Sequence, residues 1–367
     1  MLCKSPKLFE TQSHLLGLTV VGAVGVIGLI AFAPITPAYR ITLGTIVFLI
    51  AFMIVISRIP DRWFGYVLSV PSLILLIGVT AIPIIFLIWT SVHHVTLLNF
   101  SDVWPFVGLE NFRYLILEDP LFVRALVRSL QLFFLGLVFQ LVIGMALALL
   151  LERKFRLHNL VSTMMLLPIL TNSIVVGILW KYMFSYDRGF INLFLGKFGI
   201  TGQPWLTNLG LPFIRDLPVI GEWLSKDFNV NYAFLSVLLV NTWQWTPMVI
   251  LLLSAGLAAL PQEPFEAARV DGATQWQTFR YLTLPMLKST IRVTLIIRGI
   301  DLMKTFGIIW ALFGNASITA TLNIHIFTVG MSTHNYGRSS ALALILAGTT
   351  FLLYFLLNKL LPEGELI

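Results

Sequence analysis

The residues best placed to do chemistry are polar ones set in apolar surroundings. Within Tyr232–Leu253 the sequence places Asn241, Thr242, Gln244 and Thr246 beside Trp243, Trp245 and Pro247. Within Ser289–Phe313 it places Arg298, Asp301, Lys304 and Thr305. An amide can both donate to and accept from hydroxyl groups. A tryptophan face can stack on a ring, although packing tryptophans are commoner. Arg298 and Lys304 each lie three residues from Asp301, so all three can share a helix face and neutralise one another. A structural charge cluster is the first reading of that set, and contact with a passing solute the second.

Other chemistries find no residues. A phosphate-binding loop needs G-x-x-x-x-G-K-[ST], whereas Gly196-Lys197 is followed by Phe198 and lacks the upstream glycine. ATP would therefore have to be bound by another chain. His93 and His94 are adjacent rather than helically spaced and read as a surface or interfacial pair, and no hydrolytic or metal-ligating set emerges. Cys3 is the single cysteine, which excludes an internal disulfide.

The elements that carry these residues follow from composition. Hydrophobic residues make up 57% of the 367, charged residues 11%, and the mean hydropathy is +0.89. Soluble domains carry about 25% charged residues. One soluble core could not bury this much apolar surface, so the excess must face lipid. The formal charge of +7 comes from Lys and Arg that are scattered or flank apolar runs, which is loop charge on a membrane protein and not a nucleic-acid surface.

A bilayer crossing needs about 20 apolar residues as a helix. Eight runs meet that length: Leu15–Pro34, Ala38–Ser57, Tyr66–Ser91, Ala125–Leu151, Leu160–Phe184, Tyr232–Leu253, Ser289–Phe313 and Ser340–Leu360. They lack period-2 alternation, so the expected fold class is an all-α polytopic membrane protein of about eight transmembrane helices, not a barrel. Arg58, Arg62, Arg153, Lys154, Arg156, Arg269 and Arg280 all fall on one side if both termini are cytoplasmic. Two long segments, His93–Arg124 and Ser185–Asn231, would then face outward. The second is rich in Gly, Pro and Trp, which suits either a packed cap or a docking surface.

Between the sixth and seventh runs, Ala258–Pro285 (AALPQEPFEAARVDGATQWQTFRYLTLP) is less apolar but keeps helical periodicity. Pro261 and Pro264 suit a helix start, Gly272 permits a break, and Trp276, Phe279 and Leu282 open a second periodic stretch. Two short helices joined at a glycine are expected. The segment resembles the cytoplasmic coupling loop of ABC importer permeases through Glu266-Ala267-Ala268, Asp271-Gly272-Ala273, Phe279 and Leu284-Pro285. The resemblance extends from about Tyr66 to the C-terminus. It includes Gly108-Leu109-Glu110-Asn111-Phe112, Leu166-Leu167-Pro168, Val175-Val176-Gly177 with Trp180, Asn241 to Pro247, and Ala255-Gly256-Leu257. It is nearest the carbohydrate-uptake branch, and the extra N-terminal pair of spans is similar to the larger maltose-type permease subunit.

That resemblance implies a division into residues 1–65, with the N-terminal tail and two extra helices, and residues 66–367, a six-helix permease core with its coupling loop at 258–285. It implies an inner-membrane importer of a sugar, a di- or oligosaccharide, built with a second homologous permease, two ATPase subunits and an extracellular binding protein. ATP and Mg would sit on the ATPases and no cofactor on this chain. Glu266, Ala267, Ala268, Asp271, Gly272 and Ala273 would couple to the ATPase. Carrying the family's sugar-contact spacing over lands on Asn241, Gln244, Trp245, Met248, Arg298, Leu302 and Thr305. Of these, Asn241 keeps the family's residue type. Gly314-Asn315-Ala316-Ser317 stands where the family often has Gly-Gly-Pro, a departure on the side facing the binding protein. Related permeases also serve polyols and glycerol phosphate. A secondary transporter or channel would instead call for more intramembrane acids than Asp301, and a membrane scaffold would not need the coupling loop.

Overall fold

The computed structural model describes residues 42–47, 50, 52–53, 61–152, 156–200, 202–218, 221–226, 228, 230–314 and 319–361. The first expected span, eleven of the twenty residues of the second, and Asn315–Ser317 lie outside them. The chain forms two compact units, residues 1–85 and 86–367. The described residues are helical, with isolated bridges and no strand among them.

Long apolar helices dominate: α1 (Asp61–Ser91), α3 (Phe122–Glu152), α9 (Tyr232–Ala258) and α16 (Tyr336–Leu360). These four are long and apolar enough to cross a membrane. In α1, Ile74, Leu75, Ile77 and Val79 are each more than half exposed, a surface that only lipid or another apolar partner can cover. α3 and α9 form the centre of the larger unit. They approach closely because Gly144 presents no side chain to Val249; a Cβ there would lie 2.6 Å from Val249 Cγ1.

Two expected spans are broken. The run Leu160–Phe184 becomes α4 (His158–Leu170) and α5 (Ser173–Met183), bent by 101°. Thr171 is extended, and the Asn172 side chain accepts from Ile174 N at 2.8 Å, capping a new helix. The run Ser289–Phe313 becomes α13 (Lys288–Met303) and α14 (Gly307–Phe313), interrupted at Lys304, Thr305 and Phe306. Each break contains two polar residues, Thr171-Asn172 in the first and Lys304-Thr305 in the second, and the α4–α5 pair is apolar enough to cross a membrane as one broken span. α5 and α14 then pack on each other, Gly177 lying against Ala311 and Ile308.

The two long segments between spans, His93–Arg124 and Ser185–Asn231, are held by buried polar hubs. Around α2 (Glu110–Leu117), buried Asn111 donates to the Ser91 and His93 carbonyls at 2.8 and 3.0 Å. His93 is buried and stacks on Trp89 with ring centres 4.4 Å apart, whereas His94 is exposed, so of the expected surface or interfacial pair only His94 lies at the surface. In the second segment, which holds α6 (Phe190–Gly196), α7 (Pro212–Arg215) and α8 (Gly221–Lys226), Asn192 is the hub. Its amide donates to the Tyr186 and Gln203 carbonyls and accepts from Gln203 N and Trp205 Nε1, all at 2.9–3.1 Å. Trp205 in turn stacks on Phe184. The short α15 (Leu322–Phe327) closes this side, with His325 Nε2 2.7 Å from Asp119 Oδ2.

Candidate functional site

The polar residues of α9 and α13 meet, together with one from α3. Arg298 is buried, its side chain 2% exposed. Its NH1 donates to Asp301 Oδ2 at 2.9 Å and its Nε to Gln140 Oε1 at 3.0 Å. Gln140 Nε2 donates to Asn241 Oδ1 at 2.9 Å, and Asn241 Nδ2 reaches Thr305 Oγ1 at 3.4 Å. The Trp245 ring lies 4.6 Å from the Arg298 guanidinium carbon, which adds a cation–π contact. One chain of contacts thus runs Asp301, Arg298, Gln140, Asn241, Thr305 and ties three helices together. Gln140, Asn241 and Arg298 each donate at least one such bond, as low-dielectric surroundings favour for buried polar groups.

This arrangement sorts the sequence candidates. Asn241, Trp245, Arg298 and Thr305 are in the network. Gln244 is buried beside it but serves the break between α4 and α5, donating to the Thr171 carbonyl at 2.9 Å. That carbonyl would otherwise lack a helical partner within an apolar layer. Leu302 is 2% exposed and fills the hollow left by Gly136 on α3, so it is packed core. Met248 is half-buried, one turn along from Gln244. Lys304 departs from expectation: the helix ends at Met303, so Lys304 leaves the face shared by Arg298 and Asp301 and is exposed. Gln140 was not among the sequence candidates. It is the lone amide in an apolar stretch of α3, and the cost of a polar group in a span was the signal available.

The segment between α9 and α13 carries a second arrangement. α10 (Glu263–Val270) begins with Pro264 in its first turn and has no buried residue. It stops in a Schellman motif: Gly272 N donates to Arg269 O at 3.2 Å and Ala273 N to Ala268 O at 2.9 Å. Gly272 holds φ +76°, a conformation that a β-carbon disfavours. Thr274 then caps α11 (Gln275–Thr278) in a reciprocal box with Gln277. A π-helical turn, Phe279–Thr283, and α12 (Leu284–Met286) lead into α13. Phe265 and Phe279 are half-buried and face inward, lining a cavity of about 580 Å³ with Glu152, Arg269, Ala273 and Thr283. Glu266, Ala267, Asp271 and Gly272 are exposed, Ala268 and Ala273 half so. Val270 (88%), Trp276 (65%) and Tyr281 (69%) add exposed apolar surface to the same loop.

Apolar helices around a buried polar layer, with a stiff, exposed helix–glycine–helix at one end, define a membrane subunit of a transporter. Residues 140–363 match the family of binding-protein-dependent transport system inner membrane components, and the chain belongs to that family of ABC importer permeases. The chain is 28% identical over 282 residues to the trehalose/maltose transport system permease protein MalF of Thermococcus litoralis, covering 77% of this chain and 88% of that one. It is 29% identical over 314 residues to the trehalose transport system permease protein SugA of Mycobacterium tuberculosis, covering 84% and 93%. Among solved structures it is similar in fold, with a TM-score of 0.66 at 21% identity, to a chain of a bacterial alginate ABC transporter in complex with an alginate pentasaccharide-bound periplasmic protein, covering 82% of this chain and 96% of that one.

Proposed function

We propose that this chain is one of two membrane-spanning subunits of an ATP-driven importer that moves a di- or oligosaccharide delivered by an extracellular binding protein. The observation that carries the reading is the exposed, preorganised loop around Glu266 and Gly272, which nothing in the chain's own fold covers among the described residues. The named trehalose and maltose permeases among its relatives support sugar as the cargo. In this reading the loop at 258–285 enters a cleft on an ATPase subunit. The small Ala267 and Ala268 allow close approach, and Glu266 offers a carboxylate to a cationic ATPase residue. Two ATPase subunits hold ATP and Mg, a homologous permease completes the path, and this chain binds no cofactor.

The broken pairs α4–α5 and α13–α14 each count as one crossing, so that six helices form the core of residues 66–367. The two N-terminal runs of residues 1–65 complete eight, with both termini in the cytoplasm.

Reconstitution with the ATPase and binding protein tests the reading. Glu266→Lys reverses the carboxylate's charge, so the variant should either lose the ATPase on purification or hydrolyse ATP without sugar uptake. Truncating one partner of a buried charge pair costs about 2–5 kcal/mol, enough to empty the cleft. Normal uptake by this variant would overturn the coupling role.

A further inference from the structure

Asp301 has a place in this fold that its ion pair alone does not explain. The pair is asymmetric: the Arg298 side chain is 2% exposed and the Asp301 side chain 41%. Asp301 Oδ2 takes the guanidinium, while Oδ1 has no protein partner among the described residues. A carboxylate turned toward lipid is strongly disfavoured, so the open side of Asp301 must face water, a solute or polar protein. Helix geometry says which flank that is. Gly299 turns toward Phe133 and Leu357, and Leu302 toward Gly136, so the α3 and α16 sides of α13 are filled. The remaining flank holds Asp301 beside Arg298, which stacks on Trp245 of α9, and one turn before Thr305, which meets Asn241 of α9.

We propose that Asp301 is the substrate-facing acceptor of the path and makes it selective for neutral over acidic carbohydrates. The inference rests on the sugar-importer reading and deepens it. Arg298, held by Gln140 and by the Trp245 face, fixes one carboxylate oxygen and leaves the other to accept hydroxyl donors from a passing sugar. The pair is neutral as a whole, but its negative end is the one that a solute meets. Hydroxyl groups satisfy that end, whereas a uronate or sulfonate group is repelled by it. Hydrogen bonds to a charged acceptor are among the strongest available to a sugar.

The test uses the complete importer in proteoliposomes with its binding protein. Uptake is measured for maltose and trehalose and for their carboxylated counterparts, each at concentrations that saturate the binding protein. Asp301→Asn should lower neutral-sugar uptake and shrink the neutral-to-acidic ratio by about tenfold or more, and Asp301→Glu should recover part of that ratio. The double variant Arg298→Gln with Asp301→Asn removes both charges and is read in the same way should the single variant fail to assemble. An unchanged ratio in assembled variants overturns the inference. Loss of the second permease subunit from both variants also overturns it, because the carboxylate would then be a subunit contact. A wild-type importer that takes up no carbohydrate would instead sink the sugar reading itself.

Discussion

Gln140 Nε2 donates to Asn241 Oδ1 across 2.9 Å, and both side chains are sealed from solvent. Because Gln140 Oε1 also accepts from Arg298 Nε, this one amide joins α3 to α9 and α13. The helices of the polar layer are therefore fixed to each other by a residue that need not touch any solute.

Gln140→Leu should destabilise the assembled protein by about 1–2 kcal/mol. Leaving a buried donor or acceptor without its partner costs about 1–3 kcal/mol, and interhelical hydrogen bonds in membranes tend toward the low end. Gln140→Glu keeps an acceptor for Arg298 while losing the donor to Asn241, so it should lose less. Thermal unfolding of the purified complex reads this order. Val138→Leu, on an exposed position of the same helix, is the comparison. Equal Tm values for Gln140→Leu and Val138→Leu would contradict the structural role.

Gly272 offers a conformational test of the proposed coupling role of the loop at 258–285. Its φ is +76°, yet a Cβ placed there meets nothing within 4 Å, so within this chain the effect of substitution is backbone strain and not collision. A β-branched residue in the left-handed region costs about 1–2 kcal/mol, whereas Asn tolerates it. Gly272→Asn should retain coupled transport, and Gly272→Val should weaken ATPase retention or uncouple hydrolysis from uptake. Identical behaviour of the two variants would mean that the Schellman stop after Val270 is not needed.

What the sequence showed depends on length scale. The runs that became α1, α3, α9 and α16 were legible because twenty or more apolar residues can scarcely be anything but a spanning helix. The break at Thr171-Asn172 was not, because a hydropathy window averages two polar residues into the run. The same averaging hid the end of α13 at Met303, and with it the departure of Lys304 from the charge cluster. Asn241 and Arg298 were found by the cost of polar groups in a span. Gln140 met that criterion equally but stood alone, and its partners lie 101 and 158 residues away. Leu302 was placed on the path by spacing alone; its contact with Gly136 is a tertiary fact that spacing does not carry. The helix–glycine–helix between α9 and α13 was readable because its determinants, Pro264, Gly272 and Thr274, are local.

The contact between the two broken spans makes the most direct packing prediction. A Cβ on Gly177 would lie 2.5 Å from Ala311 Cβ and 3.0 Å from the Ile308 carbonyl oxygen. Backbone cannot yield as a flexible side chain can, so Gly177→Ala must push α5 away from α14. Overpacking of this kind costs about 1–3 kcal/mol. Gly196→Ala is the matched control, since a Cβ there has open space within 4 Å. Adding Ala311→Gly to Gly177→Ala removes the methyl collision but leaves the Ile308 carbonyl in place, so rescue should be partial. Because α14 follows directly on the Thr305 end of the polar network, the displacement should also lower sugar uptake more than it lowers assembly. Tm and uptake measured together on the three variants check both halves. A Gly177→Ala protein as stable and active as Gly196→Ala would show that α5 and α14 do not pack through this glycine in the working transporter.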